Sequence, residues 1–298
     1  MTQNICAPKK YSNNSCFNLK QLMELASAYN RFLVKSKLNP NDKRTFKGAD
    51  LIDVKPNSTY LLLELRKRFN KICNGDDICL VHQAFMNEII TEVRDDILNN
   101  SFRPMGPKNP TEWLSTFDIN NIMEQYEKIY DNFKFLGAVP LDCNELKHCS
   151  LYNLNFDNFD KNIRYIAVIF NLDKYGQSGS HWVTLFIDLN GEIYFCDSIG
   201  KPPNEYIQKI INNFLNYYKS KTGTNAIYKY NKNSYQKDET ECGVYACNFI
   251  IRKLGGESFE EIVNNPLTFK EINSCRNLYF RNKPSAHKIH KKCEIINK

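Results

Sequence analysis

The sequence predicts an α+β fold in which a helical N-terminal domain precedes a central, mostly antiparallel sheet flanked by helices. Residues 1–105 carry apolar side chains at helical spacing. Segment 103–110 contains three prolines and one glycine, and no helix continues through such a sequence. Short apolar runs typical of strands follow this break. The break therefore predicts the boundary between a helical domain and a domain that contains the sheet.

Three helices are predicted in the N-terminal domain, 1–105. The first begins at Asn18, where Gln21 three residues later resembles a capping box. Apolar residues at helical spacing indicate two further helices, over 59–71 and 77–98. The role of this domain stays open, since it could position a substrate, control access to a site or dock in a virion.

The second domain is predicted over residues 110–281. Asn190-Gly191 between two apolar runs is its strongest hairpin signal, because both turn positions then need a positive φ. The predicted helices are 113–130, with Asp118 as its cap, 205–219, one that begins near Cys242, and 269–280. The predicted strands are 165–170, 182–187, 193–196 and 226–230. The basic segment 282–298 is expected to be a flexible tail.

Composition excludes several classes of protein. With 298 residues, 42% of them hydrophobic and 24% charged, the chain is long enough to bury a globular core. No apolar stretch approaches the roughly 18 residues of a transmembrane helix, so no membrane partner is expected. The net charge of +7 could favour an anionic partner, but it is only a weak indication of nucleic-acid binding.

Eleven cysteines are an unusually large and odd number. The N-terminus lacks the hydrophobic core of a signal peptide, so free thiols in a reducing compartment are expected, most of them buried. Cys73/Cys79 and Cys143/Cys149 repeat a six-residue step, but no CxxC motif occurs and only His148 lies close to these residues. A zinc site is therefore disfavoured, and no cofactor is expected.

A histidine and an aspartate occupy the outer ends of the predicted hairpin. His181 directly precedes the strand 182–187, and Asp197 directly follows the strand 193–196. In an antiparallel hairpin these outer ends lie side by side, so the two side chains are expected to be within hydrogen-bonding distance. A carboxylate in that place fixes the tautomer of the imidazole and stabilises the imidazolium.

Cys242 stands where an apolar, helix-periodic segment begins. The positive end of a helix dipole favours the thiolate, which is the nucleophilic form of cysteine. Gly243 would leave room for a substrate backbone near the sulfur. Gln236 could offer a side-chain N–H which, with the backbone N–H of Cys242, would form an oxyanion hole. Together with His181 and Asp197, this set is typical of nucleophilic catalysis. Cys196 and Cys247, near these segments, could be packing residues or could form an oxidised pair with Cys242.

Two motif strings resemble the Ulp1/adenain-type cysteine proteases: Gly179-Ser180-His181-Trp182 and Asp197-Ser198-Ile199-Gly200, followed by Gln236 and the block 241–247. In that family the order is His, Asp, Cys, with a Gln six residues before the Cys. The resemblance covers about residues 110–255. The resemblance extends to the viral branch of the family, that of large nucleocytoplasmic DNA viruses of the African swine fever virus type. The abundant Asn, Lys and Ile also fit the AT-rich genome of a mimivirus-like agent.

The resemblance implies a Ulp1/adenain-like protease core and a role for each matching residue. Cys242 would be the nucleophile, His181 the general base and acid, Asp197 its orienting partner and Gln236 an oxyanion donor. Trp182 and Trp113 would border a narrow, substrate-binding channel together with Gly243. Such a channel implies cleavage after Gly-Gly or Ala-Gly.

Protein substrates are the partners that the resemblance implies, with viral core or structural precursors cleaved during virion maturation as the leading class. The corresponding locations are the virion and the viral factory in the host cytoplasm. Three alternatives stay open: a deconjugase for ubiquitin-like proteins, acyl transfer to hydroxyl or amine acceptors, and a non-catalytic virion scaffold that binds nucleic acid. The Asp at position 197 favours hydrolysis over acyl transfer, and the intact four-residue set disfavours the scaffold.

Overall fold

A computed structural model describes residues 5–12, 14–38 and 51–294 of the chain. The chain divides into two compact units, Met1–Arg103 and Pro104–Lys298, so the division falls at the start of the proline-rich segment. None of the helices in the described ranges is long and apolar enough to cross a membrane.

The N-terminal unit is helical. Its helices are α1 (Leu19–Leu38), α2 (Ser58–Cys73), α3 (Asp77–Leu80) and α4 (Thr91–Asn100), with a 3₁₀ turn at Ala84–Glu88. The predicted capping box is confirmed: Gln21 N donates to Asn18 Oδ1 at 2.8 Å, and Asn18 N donates to Gln21 Oε1 at 3.0 Å. These reciprocal bonds satisfy two of the backbone donors that every helix leaves free at its start.

The single helix predicted over 77–98 is wrong, because the chain breaks it into three pieces. Gln83 donates its side-chain amide to Cys79 O at 2.9 Å and so closes α3. A disulfide between Cys73 and Cys79 holds α3 against the end of α2. Ile90 then adopts an extended conformation before α4 begins. The apolar residues of this segment do lie at helical spacing, but they belong to three short elements that pack into one core.

The C-terminal unit is built on a five-stranded sheet. Its strands are β1 (Phe133–Val139), β2 (Tyr165–Asn171), β3 (Trp182–Asp188), β4 (Glu192–Cys196) and β5 (Ile227–Tyr230), in that spatial order. Its helices are α5 (Thr116–Glu127), α6 (Glu205–Thr222), α7 (Cys242–Leu254), α8 (Phe259–Asn264) and α9 (Phe269–Tyr279). The α+β prediction is confirmed, whereas β1 and α8 were not predicted.

The sheet is mixed rather than mostly antiparallel. The two inner pairings, β2–β3 and β3–β4, are antiparallel, as predicted, but β1–β2 and β4–β5 are parallel. The central strand β3 is buried along its whole length. Trp182 and Phe186 on one face join the core formed with α5, α7 and α9, while Val183 and Leu185 on the other face join the core formed with α6. This two-sided burial explains the continuous apolar run of β3.

The predicted hairpin is confirmed, with a different turn. Asp188 pairs with Glu192, which leaves a three-residue loop, and Gly191 N donates to Asp188 O at 2.9 Å. Gly191 has a φ of +108°, whereas Asn190 does not adopt a positive φ. A type I turn followed by a glycine in this conformation is the usual three-residue hairpin loop.

The start of α5 also differs from the prediction. The cap is Ser115, whose Oγ accepts from Asp118 N at 3.2 Å, and Asp118 is its partner within the helix, accepting from Ser115 N at 2.8 Å. Trp113 and Leu114 therefore precede the helix. The prediction that Asp118 is itself the cap is wrong, because the carboxylate completes a capping box from the third helical position.

The cysteine and tail predictions need correction. Eight of the eleven cysteines form disulfides: Cys6–Cys16, Cys73–Cys79, Cys143–Cys149 and Cys275–Cys293. Within the described ranges, which include every cysteine, Cys196, Cys242 and Cys247 are free, and all three are buried, as expected. The flexible-tail prediction does not hold for residues 282–294, because Cys293 is fully buried and bonded to α9. Residues 295–298 lie outside the described part of the chain.

Candidate active site

A cleft of about 360 Å³ opens between the start of β3 and the start of α7. It is lined by residues 113–116 before and at the start of α5, Asn171, residues 177–180 of the β2–β3 connection, His181, Trp182 and Cys242. The structure thus brings together the Cys242 thiol, the His181 imidazole and the two tryptophans, all of which were expected as site residues.

His181 and Asp197 lie as the hairpin register predicts. His181 Nε2 is 2.6 Å from Asp197 Oδ1, and Asp197 is almost completely buried. Because the carboxylate occupies Nε2, the other ring nitrogen, Nδ1, is the one left for Cys242, which lines the same cleft. Each ring nitrogen of His181 therefore has its own neighbouring group, the carboxylate at Nε2 and the thiol on the side of Nδ1.

The turn after β4 holds the Asp197 carboxylate in place. Asp197 Oδ1 also accepts from Ile199 N at 3.0 Å, and Asp197 Oδ2 accepts from Lys201 N at 3.2 Å. Asn231 brackets the backbone of Asp197, accepting from its N–H at 2.8 Å and donating to its carbonyl at 2.6 Å. A carboxylate held by this many donors keeps one orientation toward the histidine.

Gly200 closes this turn with a φ of +73°, and Gly200 N donates to Asp197 O at 2.8 Å. A Cβ at this position would lie 2.8–2.9 Å from backbone atoms of residues 232–234. Backbone atoms cannot rotate away as a flexible side chain can. A glycine is therefore required here for space as well as for conformation.

We expect Gly200→Ala to destabilise the C-terminal unit clearly more than Gly223→Ala, measured as the free energy of unfolding in urea. Gly223 has nearly the same φ, +74°, but nothing lies within 4 Å of a Cβ there. The control therefore carries only the conformational cost, about 1–2 kcal/mol. Equal losses in the two variants would contradict the steric argument.

The charge state of the imidazole follows from its surroundings. Burial alone lowers the pKa of His181, but the hydrogen bonds and charges of Asp197 and Cys242 raise it more strongly, to about 9. The imidazolium form is thus favoured at neutral pH. An imidazolium beside a thiol stabilises the thiolate, as does the start of a helix, and Cys242 is the first residue of α7.

The other two free thiols are in different environments. Burial raises the pKa of Cys196 to about 12 and raises that of Cys247 well above its ordinary value. Neither sulfur lines the cleft. A cysteine held as a buried neutral thiol is a poor nucleophile, which leaves Cys242 as the candidate nucleophile among the three free cysteines.

Gln236 does not line the cleft itself. Its Oε1 accepts from Ser198 Oγ at 2.5 Å, and its Nε2 donates to Asp238 O at 2.7 Å. The Asp238 carboxylate in turn accepts from Thr240 N and Glu241 N, both at 2.9 Å. Gln236 is thereby tied into the loop that leads directly to Cys242.

The two tryptophans border the cleft differently. Trp182 is 7% exposed, and its Nε1 donates to Leu114 O at 2.9 Å, so the indole is fixed. Trp113 is 49% exposed and stands at the rim. Gly243 does not line the cleft. A Cβ at this position would lie 3.0 Å from Leu114 Cβ and 3.3 Å from Trp182 Cδ1. Its small size serves the packing of these two side chains on α7 rather than substrate access.

Several residues that support the site were not predicted. Asn231, Ser198 and the fully buried ion pair of Glu241 with Arg276 hold the segments that carry Asp197, Gln236 and Cys242. Ser198 and Glu241 stood within the recognised motif strings, but no spacing rule assigns them a contact. Among the described residues, no group of three or more His, Cys, Asp or Glu side chains could hold a metal ion.

Comparison with known proteins identifies the family. The family described as the Ulp1 protease family, C-terminal catalytic domain, matches residues 146–285. A protein of Acanthamoeba polyphaga mimivirus named "Putative thiol protease R355" is 59% identical over 99% of both chains. A protein of African swine fever virus (isolate Pig/Kenya/KEN-50/1950) named as a SUMO-1 cysteine protease is 21% identical, covering 73% of this chain and 86% of its own.

A solved structure has the same fold over nearly the whole chain. The crystal structure of an African swine fever virus protease superimposes with a TM-score of 0.61 at 18% identity, covering 94% of this chain and 97% of that one. The identity of 59% to a full-length viral relative and the match to the family's catalytic domain agree with this likeness. The chain belongs to the Ulp1 protease family and is a cysteine protease with viral relatives.

Proposed function

We propose that this chain is a cysteine endopeptidase in which Cys242, His181 and Asp197 form the catalytic triad. The observation that supports this most directly is the cleft that Cys242 and His181 line together, with His181 Nε2 2.6 Å from Asp197 Oδ1. The proposal also includes cleavage after small residues, of the Gly-Gly or Ala-Gly type. Viral core or structural precursors are the proposed substrates, in the virion and in the viral factory of the host cytoplasm.

The proposed reaction is acyl transfer in two steps. The Cys242 thiolate attacks the scissile carbonyl carbon, and His181 gives its proton to the departing amine, which leaves a thioester. His181 then takes a proton from water, whose oxygen attacks the thioester, so that the acid is released and the Cys242 thiolate and the His181 imidazolium are restored. Asp197 keeps Nδ1 of the imidazole directed at the sulfur in both steps. The backbone N–H of Cys242 and the side chain of Gln236 are proposed as the donors to the oxyanion.

The walls of the cleft support the preference for small residues. The Trp182 indole is fixed by its bond to the Leu114 carbonyl and cannot rotate away without losing it. A rigid indole next to the nucleophile would exclude substrates with bulky side chains on either side of the scissile carbonyl. Glycine and alanine leave the main chain free to lie between Trp182 and Trp113.

The test is a panel of quenched-fluorescence peptides with Gly-Gly, Ala-Gly and bulky residues before the scissile bond. Cleavage after Gly-Gly or Ala-Gly, absent in Cys242→Ala, is the expected result. Cleavage that survives in Cys242→Ala would overturn the triad. Efficient cleavage after phenylalanine or leucine would overturn the proposed specificity while leaving the triad intact.

Deconjugation of ubiquitin-like proteins is the second candidate function, because the African swine fever virus relatives include proteins named as SUMO-1 cysteine proteases. A folded ubiquitin-like reporter, fused through its C-terminal Gly-Gly to a fluorophore, separates the two functions. Hydrolysis of this reporter with no cleavage of short peptides would favour deconjugation. Cleavage of the reporter and the short peptides at similar kcat/KM would favour an endopeptidase that recognises only the residues near the scissile bond.

The raised pKa of His181 predicts a pH profile. The imidazolium persists until the pH rises through about 9, so the basic limb of kcat/KM should fall near that pH. In Asp197→Asn the charge that raises the pKa is removed while burial still lowers it, so the basic limb should move to lower pH. The exposed Asp157, which pairs with Lys221, supplies the control Asp157→Asn, whose profile should match the wild type. An unmoved limb in Asp197→Asn would contradict the assignment.

A further inference from the structure

An oxyanion glutamine works in only one orientation. If its amide points Nε2 at the developing negative charge, an N–H stabilises the oxyanion. If the amide turns over, Oε1 faces the oxyanion and repels it. The two ends of the group have nearly the same size, so shape alone cannot select one. Whatever bonds to each end of Gln236 decides whether the residue helps or hinders.

Two hydrogen bonds fix the Gln236 amide. A carbonyl oxygen can only accept, so the Asp238 carbonyl, 2.7 Å away, requires the nitrogen end on its side. Ser198 Oγ then donates to Oε1 at 2.5 Å. Ser198 is 3% exposed and Gln236 is 8% exposed, so water does not readily replace the hydroxyl. Without it, Oε1 would be a buried acceptor lacking its donor, and the bond to the Asp238 carbonyl alone would hold the amide, which would lose its fixed position.

Ser198 also belongs to the segment that orients the histidine. It directly follows Asp197, and its carbonyl accepts from both Tyr235 N and Gln236 N at 3.0 Å. The main chain of Ser198 therefore sets the position of the Gln236 backbone, and its side chain sets the position of the amide. One dipeptide holds both the carboxylate beside His181 and the proposed oxyanion donor.

We infer that Ser198 is a positioning residue of the oxyanion hole, which holds Gln236 with one Nε2–H committed to Asp238 and the second directed at the oxyanion. This inference rests on the proposed function of the same site. It differs from a general structural role, because it predicts a defect confined to steps in which negative charge develops on the substrate oxygen.

The experiment compares two reactions of Cys242 in Ser198→Ala. A peptide aldehyde ending in glycinal is attacked by the thiolate at carbon, and the carbonyl electron pair moves to oxygen, as in the tetrahedral intermediate. Iodoacetamide is attacked at its methylene carbon with loss of iodide, and no oxyanion forms. The matched control is Ser234→Ala, which removes an exposed hydroxyl near the Gln236 carbonyl and leaves the amide contacts intact.

We expect Ser198→Ala to weaken aldehyde inhibition and to lower kcat by about 10–100-fold, below the roughly 10²–10³-fold cost of losing an oxyanion donor outright. KM and the rate of alkylation should not change. In a Gln236→Ala background, Ser198→Ala should have little further effect, because the group through which it acts is gone. Ser234→Ala should behave as the wild type in both reactions.

Three results would overturn the inference while leaving the proposed function standing: wild-type aldehyde affinity in Ser198→Ala, an equal loss in alkylation rate, or full additivity with Gln236→Ala. Intact folding is checked by the urea midpoint of each variant. If the wild-type protein neither cleaves peptides nor captures the aldehyde, the proposed function itself fails and the inference falls with it.

Discussion

Replacing Cys242 with alanine is expected to remove proteolytic turnover and, with it, the one fast-reacting thiol of the protein. The loss in kcat should be at least about 10⁴-fold, since removing the nucleophile of a triad leaves only what substrate binding and the oxyanion hole contribute. Eight cysteines are in disulfides, and burial raises the pKa of Cys196 and Cys247. Iodoacetamide at neutral pH should therefore add one carbamidomethyl group to the wild type and none to the variant.

Cys247→Ala is the control for this experiment. Cys247 lies on the same helix, five residues beyond Cys242, and is fully buried. Its variant should retain the single fast adduct, retain turnover and lose at most some stability from the small cavity. Mass spectrometry after brief alkylation, without reductant, reads the result directly. A wild-type adduct on Cys196 or Cys247 instead of Cys242 would refute the assignment of the nucleophile.

The parts of this site that the sequence predicts are those joined by short-range rules. A two-stranded hairpin brings His181 to Asp197, and a helix start places Cys242 at a positive dipole end. Both predictions depend only on the period of apolar residues and on a single turn. The resemblance to a protease family adds the link between these segments, which no local rule provides.

The parts that the sequence misses depend on long-range pairing. Strand β1 escaped because Gly137, with a φ of +108°, interrupts its alternation, and the register shifts between Phe135 and Ala138. The mixed character of the sheet depends on which edge β1 and β5 join and in which direction they run. The local periodicity of apolar residues does not predict either. The disulfides escaped because the lack of a signal-peptide core led to the prediction of a reducing compartment and free thiols. Residues 282–294 have a basic composition, yet hydrogen bonds such as that from Asn248 Nδ2 to Lys292 O hold them.

Arg276→Met is expected to destabilise the C-terminal unit by about 3–5 kcal/mol, because it leaves the Glu241 carboxylate buried without its counter-charge. Both side chains are completely buried. Arg276 Nε lies 3.0 Å from Glu241 Oε2 and 3.2 Å from Oε1, and Asn273 Nδ2 donates to Oε1 at 3.0 Å. Since Glu241 directly precedes Cys242, the same variant should also lower activity.

The unfolding of this unit can be followed separately. Both tryptophans of the chain, Trp113 and Trp182, lie in the C-terminal unit, so tryptophan fluorescence in urea reports its transition alone. The control is Glu260→Gln, which breaks the Lys229–Glu260 pair. That pair is shorter, 2.6 Å, but both side chains are about half exposed. The control should cost less than about 1 kcal/mol, because solvent screens exposed charges.

The double variant Glu241→Leu/Arg276→Met distinguishes the cost of an unpaired buried charge from the value of the pair itself. Arg276 Nη1 has no hydrogen-bond partner among the described residues, so the native pair is incompletely compensated for its loss of water. Removing both charges should therefore recover most of the stability lost in Arg276→Met.

Two outcomes would contradict this account. If Arg276→Met lowers the free energy of unfolding no more than Glu260→Gln does, burial does not make the Glu241–Arg276 pair more important for stability than an exposed pair. If the double variant is as unstable as the single one, the shape of the two side chains matters more than their charge. Recovered stability without recovered activity is the result expected of an ion pair that fixes the chain ahead of Cys242.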